Sequence, residues 1–155
     1  MQRENLIDTL RRGLEDEMNS ARKYVALAAK CEDLVLQTEF MSYAADEQEH
    51  ARKLMDFLGK LDAEAGPLDL REQKLDEDPD FFAILVEYIA EEESAVFYYE
   101  ALEKLATDEA MKRTAREIEE EEKLHYQKIK GIFNRLKERA GKGSGENSDR
   151  TGEGV

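Results

Sequence analysis

The chain has 155 residues, of which 39% are charged and 41% hydrophobic, with nine glycines and only two prolines, a composition that favours one helical domain. Its formal net charge of −14 opposes binding to nucleic acids or anionic membranes, and the single cysteine, Cys31, excludes a disulfide framework or a four-cysteine metal centre. The N-terminus leads into no apolar run and no stretch is apolar enough to span a bilayer, so we expect a cytoplasmic protein.

Apolar residues recur at alternating three- and four-residue steps in four segments, which is the spacing that places side chains on one face of a helix. These stripes cover residues 6–28, 36–61, 85–99 and 111–136. A connection over residues 60–80 holds both prolines and separates the second stripe from the third. The pattern predicts an all-α four-helix bundle made of two helical hairpins, with a long crossover between helices 2 and 3.

Capping residues predict where three of the helices begin. The predicted starts are Asp33 for the second helix, Asp78 with Pro79 for the third, and Thr107 with Asp108 for the fourth. Five of the nine glycines lie in the last fifteen residues, where few apolar side chains are available for a core. We therefore expect a bundle domain over residues 1–140 and a disordered Gly/Ser-rich tail over residues 141–155.

Acidic residues and histidines interrupt the apolar stripes in a repeated pattern. The interruptions are the single glutamates Glu17 and Glu92 and two Glu-x-x-His pairs, Glu47 with His50 and Glu122 with His125. An offset of 75 residues relates the first half of the chain to the second, and it also maps Tyr24 onto Tyr99. Because positions i and i+3 lie side by side on a helix, each pair can direct two ligand groups at one point.

Four ionised carboxylates in a helix seam need compensation, because an uncompensated buried charge costs several kcal/mol. Two divalent cations would balance them and leave both histidines neutral. Mixed oxygen and nitrogen donors suit iron or manganese. The neighbouring Asp46, Glu91, Glu93, Glu119, Glu120 and Glu121 are expected on solvated faces. For Asp46 and Glu121, each four residues before a histidine, the alternative is a hydrogen bond to that imidazole.

The segments around these residues resemble the ferritin-like di-iron carboxylate superfamily, most closely its rubrerythrin branch. The likeness covers about residues 4–138 and rests on four motifs: residues 17–24 (EMNSARKY), 46–54 (DEQEHARKL), 97–100 (FYYE, following Glu92) and 122–126 (EKLHY). It implies two iron ions bridged by Glu47 and Glu122. It further implies that the remaining ligands are Glu17, Glu92, His50 and His125, and that Tyr24 is a site tyrosine bonded to a ligand carboxylate.

The same resemblance implies an oxidase or peroxidase that reduces H2O2 or O2, with manganese as the alternative metal and a homo-oligomeric assembly. With Cys31 as its single cysteine the chain has no rubredoxin-like iron domain, so we expect an external electron donor, rubredoxin-like or other. Ile89 stands where many rubrerythrins carry an additional glutamate. Gln48 stands where bacterioferritins carry their haem-binding methionine, so no haem is expected.

Three other functions fit parts of the pattern. A di-iron oxygenase or hydroxylase uses the same ligand set, but it needs an apolar channel or surface for its organic substrate. A non-catalytic iron store needs many copies assembled into a closed shell. A purely structural bundle needs no metal, but it leaves the carboxylates in the seam uncompensated.

Overall fold

A computed structural model describes residues 1–75 and 80–143. It contains four α-helices: α1 (Gln2–Lys30), α2 (Leu34–Lys60), α3 (Phe81–Leu105) and α4 (Glu109–Gly143). Within those two ranges there is no strand, and no helix is both long and apolar enough to cross a membrane. The prediction of an all-α chain with four helices is confirmed.

Aspartates cap the N-termini of α2, α3 and α4. Asp33 accepts two backbone N–H bonds from the first turn of α2, at 2.9 and 3.2 Å, and Asp108 accepts one at the start of α4, at 2.9 Å. The predicted start of α3 was wrong by two residues, because Asp80 is its cap and accepts bonds at 3.0 and 3.2 Å. The earlier candidates, Asp78 and Pro79, lie outside the described residues.

The last helix reaches further than the sequence indicates. α4 continues through Gly143, three residues beyond the predicted domain boundary at residue 140. Residues 144–155 lie outside the described part of the chain, so the disorder of the tail remains a prediction.

Contacts between the helices give their directions in the bundle. α1 packs on α2 and α3 on α4, and the two hairpins meet through α1 against α3 and α2 against α4. Thr9 contacts Tyr98 while Lys23 contacts Glu91, so α1 and α3 are antiparallel. Because a three-residue loop reverses the chain between α1 and α2, α2 and α3 point the same way. The end of α2 and the start of α3 therefore lie toward opposite ends of the bundle, Leu61 beside the first apolar cluster and Phe81 beside the second.

The first part of the connection between α2 and α3 lies along α1. Side chains of α1 form hydrogen bonds with the backbone of the connection at successive positions along the helix. Arg3 bonds Leu61, Arg11 bonds Glu64, and Asn19 bonds both Asp69 and Arg71. Asn19 is buried and uses both ends of its amide, donating to the Asp69 carbonyl at 3.0 Å and accepting from the Arg71 amide at 2.9 Å. These two hydrogen bonds of one side chain fix the connection against α1.

The buried stripe residues form two apolar clusters, one toward each end of the bundle. The first includes Leu10 and Leu54, and the second includes Leu27, Phe40 and Ile129. Most predicted stripe positions are buried, and those that are only partly buried are Leu36, Leu61, Ile89, Val96 and Leu136. The region between the two clusters is where the polar stripe residues lie.

Gly13 marks a close approach between α1 and α3. An added Cβ would overlap the Tyr98 hydroxyl and lie 2.9 Å from Tyr98 Cε1, in a place where that hydroxyl donates to the Thr9 carbonyl at 3.0 Å. We expect Gly13→Ala to lower the free energy of unfolding by about 1–3 kcal/mol because the core becomes overpacked. Urea or thermal unfolding measures the change.

Gly59→Ala is the matched control, because nothing lies within 4 Å of a Cβ added to Gly59. Replacing glycine by alanine inside a helix stabilises it by up to about 1 kcal/mol where space allows, so this control should unfold no earlier than the wild type. A Gly13→Ala protein as stable as the control would show that Tyr98 moves aside without cost.

Candidate metal centre

The six polar stripe residues meet between the two apolar clusters. Each of the four helices contributes, and all six residues are at most 5% exposed: Glu17, Glu47, His50, Glu92, Glu122 and His125. The polar residues interrupt the apolar stripes, and the packing of the four helices brings these interruptions to the same height, between the two apolar clusters. The structure therefore places every predicted ligand in one locus.

Two groups of four residues overlap within this locus. The first consists of Glu17, Glu47, His50 and Glu122, and the second of Glu47, Glu92, Glu122 and His125. In each group one donor atom per residue lies within 4.8 Å of the others. Glu47 and Glu122 belong to both groups, so the arrangement offers two adjacent cation positions with two shared carboxylates.

The imidazole Nδ1 atoms face the carboxylates. His50 Nδ1 lies 2.9 Å from Glu122 Oε1 and 3.6 Å from Glu17 Oε2, and His125 Nδ1 lies 3.1 Å from Glu47 Oε1. These contacts lack hydrogen-bond geometry. Among the described residues, the buried side-chain atoms of the locus without a hydrogen bond are Glu47 Oε1, His50 Nδ1, Glu92 Oε2, both Glu122 oxygens and His125 Nδ1.

Six buried ligand atoms without a hydrogen bond converge on this locus, whereas buried polar atoms in proteins are nearly always hydrogen-bonded. Carboxylate oxygen and imidazole nitrogen are also ligands that divalent transition metals accept together. The residues present therefore fit a two-metal site. The donors that would be satisfied by metal ions are the ones that the protein leaves without other partners.

The opposite imidazole nitrogens are held by acids on the facing helices. His50 Nε2 lies 2.7 Å from Glu121 Oε2, and His125 Nε2 lies 3.0 Å from Asp46 Oδ2. Asp46 and Glu121 keep much of their surface exposed, as expected, but each also contacts an imidazole. The alternative of a bond to the histidine of the same helix was wrong. Antiparallel packing of α2 on α4 places each acid beside the other helix's histidine. An Nε2–H donated to the acid leaves the Nδ1 lone pair for a metal.

Two tyrosine hydroxyls bond the outer carboxylates across the bundle. Tyr24 donates to Glu92 Oε1, and Tyr99 donates to Glu17 Oε1. Burial, followed by the adjacent carboxylate, raises the pKa of each phenol well above its ordinary value, so both remain neutral donors. The sequence reasoning named Tyr24 and missed Tyr99 as a site residue, although the 75-residue offset pointed to it.

The remaining acids beside the motifs differ from expectation in two cases. Glu119 is buried, with Lys123 Nζ 2.6 Å from its Oε1, whereas Glu120 is exposed as predicted. Glu91 is half-buried and forms an ion pair with Lys23. None of these acids belongs to the two metal-binding groups.

Burial and crowding shift the pKa values of the metal-free cluster. Burial raises the pKa of Glu47 well above its ordinary value, and the charges of Glu17 and Glu122 add to this. Burial also raises the pKa of Glu92 to about 7. For Glu122 burial acts in the same direction, but contacts with His125 and His50 outweigh it and lower the pKa to about 2.

The pKa values of both histidines are raised, whereas burial alone lowers the pKa of a histidine. Burial lowers the pKa of His50, but its contacts with Glu122 and Glu17 outweigh burial and raise the pKa to about 10. Contacts with Glu122 and Glu47 likewise raise the pKa of His125 against burial. The metal-free cluster therefore holds protons that bound metal ions must displace.

A cavity of about 400 Å³ lies between α1 and α3 and reaches the cluster. Its floor is formed by the four carboxylates Glu17, Glu47, Glu92 and Glu122, and neither histidine lines it. The cluster is thus approached from its carboxylate side, while the imidazole rings and their acid partners occupy the side between α2 and α4.

The family of the chain follows from comparison with known proteins. A family model described as Rubrerythrin matches residues 8–133. This match spans most of the chain, which therefore belongs to the rubrerythrin family. No curated protein gives a significant match.

Solved structures of the same fold include several iron proteins. A ferritin-like diiron-carboxylate protein from Bacillus anthracis str. Ames is 21% identical, with a TM-score of 0.76 over 86% of this chain and 98% of that one. The Desulfovibrio desulfuricans bacterioferritin is 18% identical, with a TM-score of 0.78 over 99% and 94%. An open pore ferritin from Archaeoglobus fulgidus is 17% identical, with a TM-score of 0.73 over 97% and 92%. The ferritin-like bundle is confirmed.

The raised pKa values predict how the stability of the metal-free protein depends on pH. Glu92 titrates at about 7 and His50 at about 10 in the folded chain, against ordinary values of 4.5 and 6.5. Both groups stabilise the folded chain fully at pH values below their ordinary pKa values. This contribution is lost as the pH rises through their pKa values in the folded chain. Glu122 acts oppositely, but only below pH 4.5.

We therefore expect the melting temperature of the metal-free protein to fall between about pH 5 and pH 9, while bound Mn2+ removes this loss. Calorimetric melts of metal-free and Mn2+-loaded samples at several pH values measure the gap between the two forms. The gap should widen as pH rises. A gap that stays constant or narrows would contradict the protonation state derived for the cluster.

Glu122 and Glu120 provide a matched test of the two shared carboxylates. They lie in one acidic run, but Glu122 belongs to both metal-binding groups and Glu120 is exposed. After anaerobic Fe(II) loading and desalting, elemental analysis should find two ions per chain in the wild type and in Glu120→Ala. Glu122→Ala should retain less than one, because both positions lose a ligand. Equal losses in the two variants would indicate a diffuse acidic patch instead.

Proposed function

We propose that this member of the rubrerythrin family is a non-haem di-iron oxidoreductase that reduces hydrogen peroxide or dioxygen. The observation that carries the proposal is the pair of overlapping ligand groups that share Glu47 and Glu122. Each position has a glutamate and a histidine of its own, and the shared carboxylates would bridge the two. Mixed oxygen and nitrogen donors favour iron, with manganese as the alternative.

The chain's own residues would hold and orient the metal pair. Glu17 and His50 would serve one position, Glu92 and His125 the other. When bound, a pair of ferrous ions supplies the two electrons that reduce peroxide to water. The four carboxylates balance the charge of two divalent ions, so the buried site becomes nearly neutral.

Surrounding residues would keep these ligands in place. The hydroxyls of Tyr24 and Tyr99 hold one oxygen of each outer carboxylate, leaving the other oxygen for the metal. Asp46 and Glu121 hold the Nε2 protons of the histidines and so fix the ring orientation. The apolar clusters above and below exclude water from both ends of the site.

Repeated turnover would require electrons from outside the chain. The single cysteine rules out a four-cysteine iron centre of the rubredoxin type within this sequence. We therefore propose a separate reductant, such as a rubredoxin-like protein. Without it, the reaction should stop after one oxidation of the loaded site.

Iron oxidation for storage is the second candidate function. Ile89 is partly buried against the second apolar cluster, at the position where many rubrerythrins carry an additional glutamate. The ligand set is therefore symmetric, and the fold is shared with a bacterioferritin and an open pore ferritin. Light scattering tests this candidate, because storage requires a large closed homo-oligomer that retains many more iron ions than its ligand groups can hold.

The oxidant preference tests the proposed activity. Peroxide needs two electrons to become water, which one di-iron site can supply, whereas dioxygen needs four. We expect both oxidants to oxidise the anaerobically Fe(II)-loaded protein, with H2O2 faster at equal concentration. Stopped-flow absorbance in the near ultraviolet follows the oxidation, and continued turnover should depend on an added reductant.

Glu122→Ala is the control for chemistry by loosely bound iron, because it should lose the rapid phase, while Glu120→Ala keeps it. A faster reaction with dioxygen than with peroxide would favour iron oxidation or an oxygenase over a peroxidase. Absence of a rapid phase with both oxidants in the wild type would refute the proposal.

A further inference from the structure

The cavity between α1 and α3 is crossed by one ion pair. Lys23 on α1 contacts the Glu91 carboxylate on α3, and its Nζ lies 3.9 Å from Glu87 on the same helix. All three residues line the cavity whose floor is formed by the metal-site carboxylates. The Lys23 side chain is only 18% exposed, and its Nζ stands 5.9 Å from the centre of the Tyr88 ring. Lys23 is therefore held in place between the two helices.

Residues of α1, of α3 and of the connection between α2 and α3 form the remaining walls of the cavity. Tyr98 fills the end of the cavity where it packs against Gly13. Arg71 lines the side covered by the connection between α2 and α3. The backbone of this connection is fixed there by two hydrogen bonds of the Asn19 side-chain amide. Small side chains such as Ser20 keep the middle open.

We propose that this cavity is the path by which small solutes reach the metal centre, and that the Lys23–Glu91 pair controls the passage of cations through it. The inference rests on the di-iron function proposed above and adds residues that set what reaches the site. A divalent cation that enters beside this pair meets a lysine ammonium on its way to the carboxylate floor. Peroxide is uncharged and passes the same point without electrostatic cost.

Removing the charge of one member of the pair should have the opposite effect on cation entry from removing the charge of the other. Removing the positive charge of Lys23 leaves Glu87 and Glu91 as uncompensated anions at the path and should attract cations. Removing the charge of Glu91 leaves the ammonium less compensated and should repel them. A merely structural pair would behave differently, because loss of either partner loosens the same contact and changes the rate in one direction.

The experiment measures the association rate of Co2+ with the metal-free protein by stopped-flow absorbance of the cobalt bands. At low ionic strength, Lys23→Gln should bind Co2+ at least about threefold faster than the wild type, and Glu91→Gln at least about threefold slower. Both differences should shrink in 0.5 M salt, because at this ionic strength charges are screened within about a few ångströms. Oxidation of the Fe(II)-loaded variants by H2O2 should change by less than about twofold, because peroxide is uncharged.

Lys112→Gln and Glu109→Gln are the matched controls, since these residues form an exposed ion pair at 2.9 Å in the first turn of α4. Neither control should alter the Co2+ rate appreciably. Rates that shift in the same direction in Lys23→Gln and Glu91→Gln, or equally in the controls, overturn the assigned role of the pair.

Ser20→Phe tests the path itself by filling the middle of the cavity. It should slow both Co2+ binding and oxidation by peroxide by about tenfold or more, and each tenfold corresponds to a rise of about 1.4 kcal/mol in the activation free energy. The final Co2+ content should stay unchanged. Ser42→Phe on the exposed face of α2 is the control. Unchanged rates in Ser20→Phe overturn the path but leave the metal centre standing. A wild type that binds no Co2+ at the cluster refutes the proposed function as well.

Discussion

Four carboxylates and two imidazoles share one buried region, and the rest of the structure depends on how this charge is compensated. Separately, each buried carboxylate would cost several kcal/mol, and together they repel one another. Below about pH 7 the metal-free protein meets this cost with protons on the histidines and on Glu47 and Glu92. Metal ions can replace those protons. The two apolar clusters provide the energy that keeps such a site closed, because they hold all four helices in register on both sides of it.

The two halves of the chain complete each other in a reciprocal way. Each hairpin supplies three ligands of one metal position and takes the fourth, Glu47 or Glu122, from the other hairpin. The supporting bonds also cross between hairpins, since Tyr24 bonds Glu92 and Tyr99 bonds Glu17. Neither hairpin alone can form a complete position. The site thus exists only when α1 meets α3 and α2 meets α4.

The internal repeat is broken where α1 faces α3, and this break opens the site. The 75-residue offset maps Gly13 onto Tyr88 and Lys23 onto Tyr98, so small or flexible residues on α1 meet tyrosines on α3. Tyr98 packs over Gly13 and Tyr88 lies beneath Lys23. These unequal contacts leave a cavity between the two helices, whereas the imidazole side has symmetric pairs of histidine and acid.

The sequence by itself determined the four helices, their buried faces and the six residues of the cluster, because helical periodicity and the repeat depend only on spacing along the chain. Spacing within one helix cannot say which side chains meet across helices. It therefore offered Asp46 either a solvated face or a bond to His50, whereas the antiparallel packing of α2 on α4 pairs Asp46 with His125. Three other features likewise depend on the distance between helix axes and on contacts between residues far apart in the chain. They are the hydrogen bond from Tyr99, the two hydrogen bonds of Asn19 to the connection, and the cavity beside Lys23. Only the tertiary structure decided these.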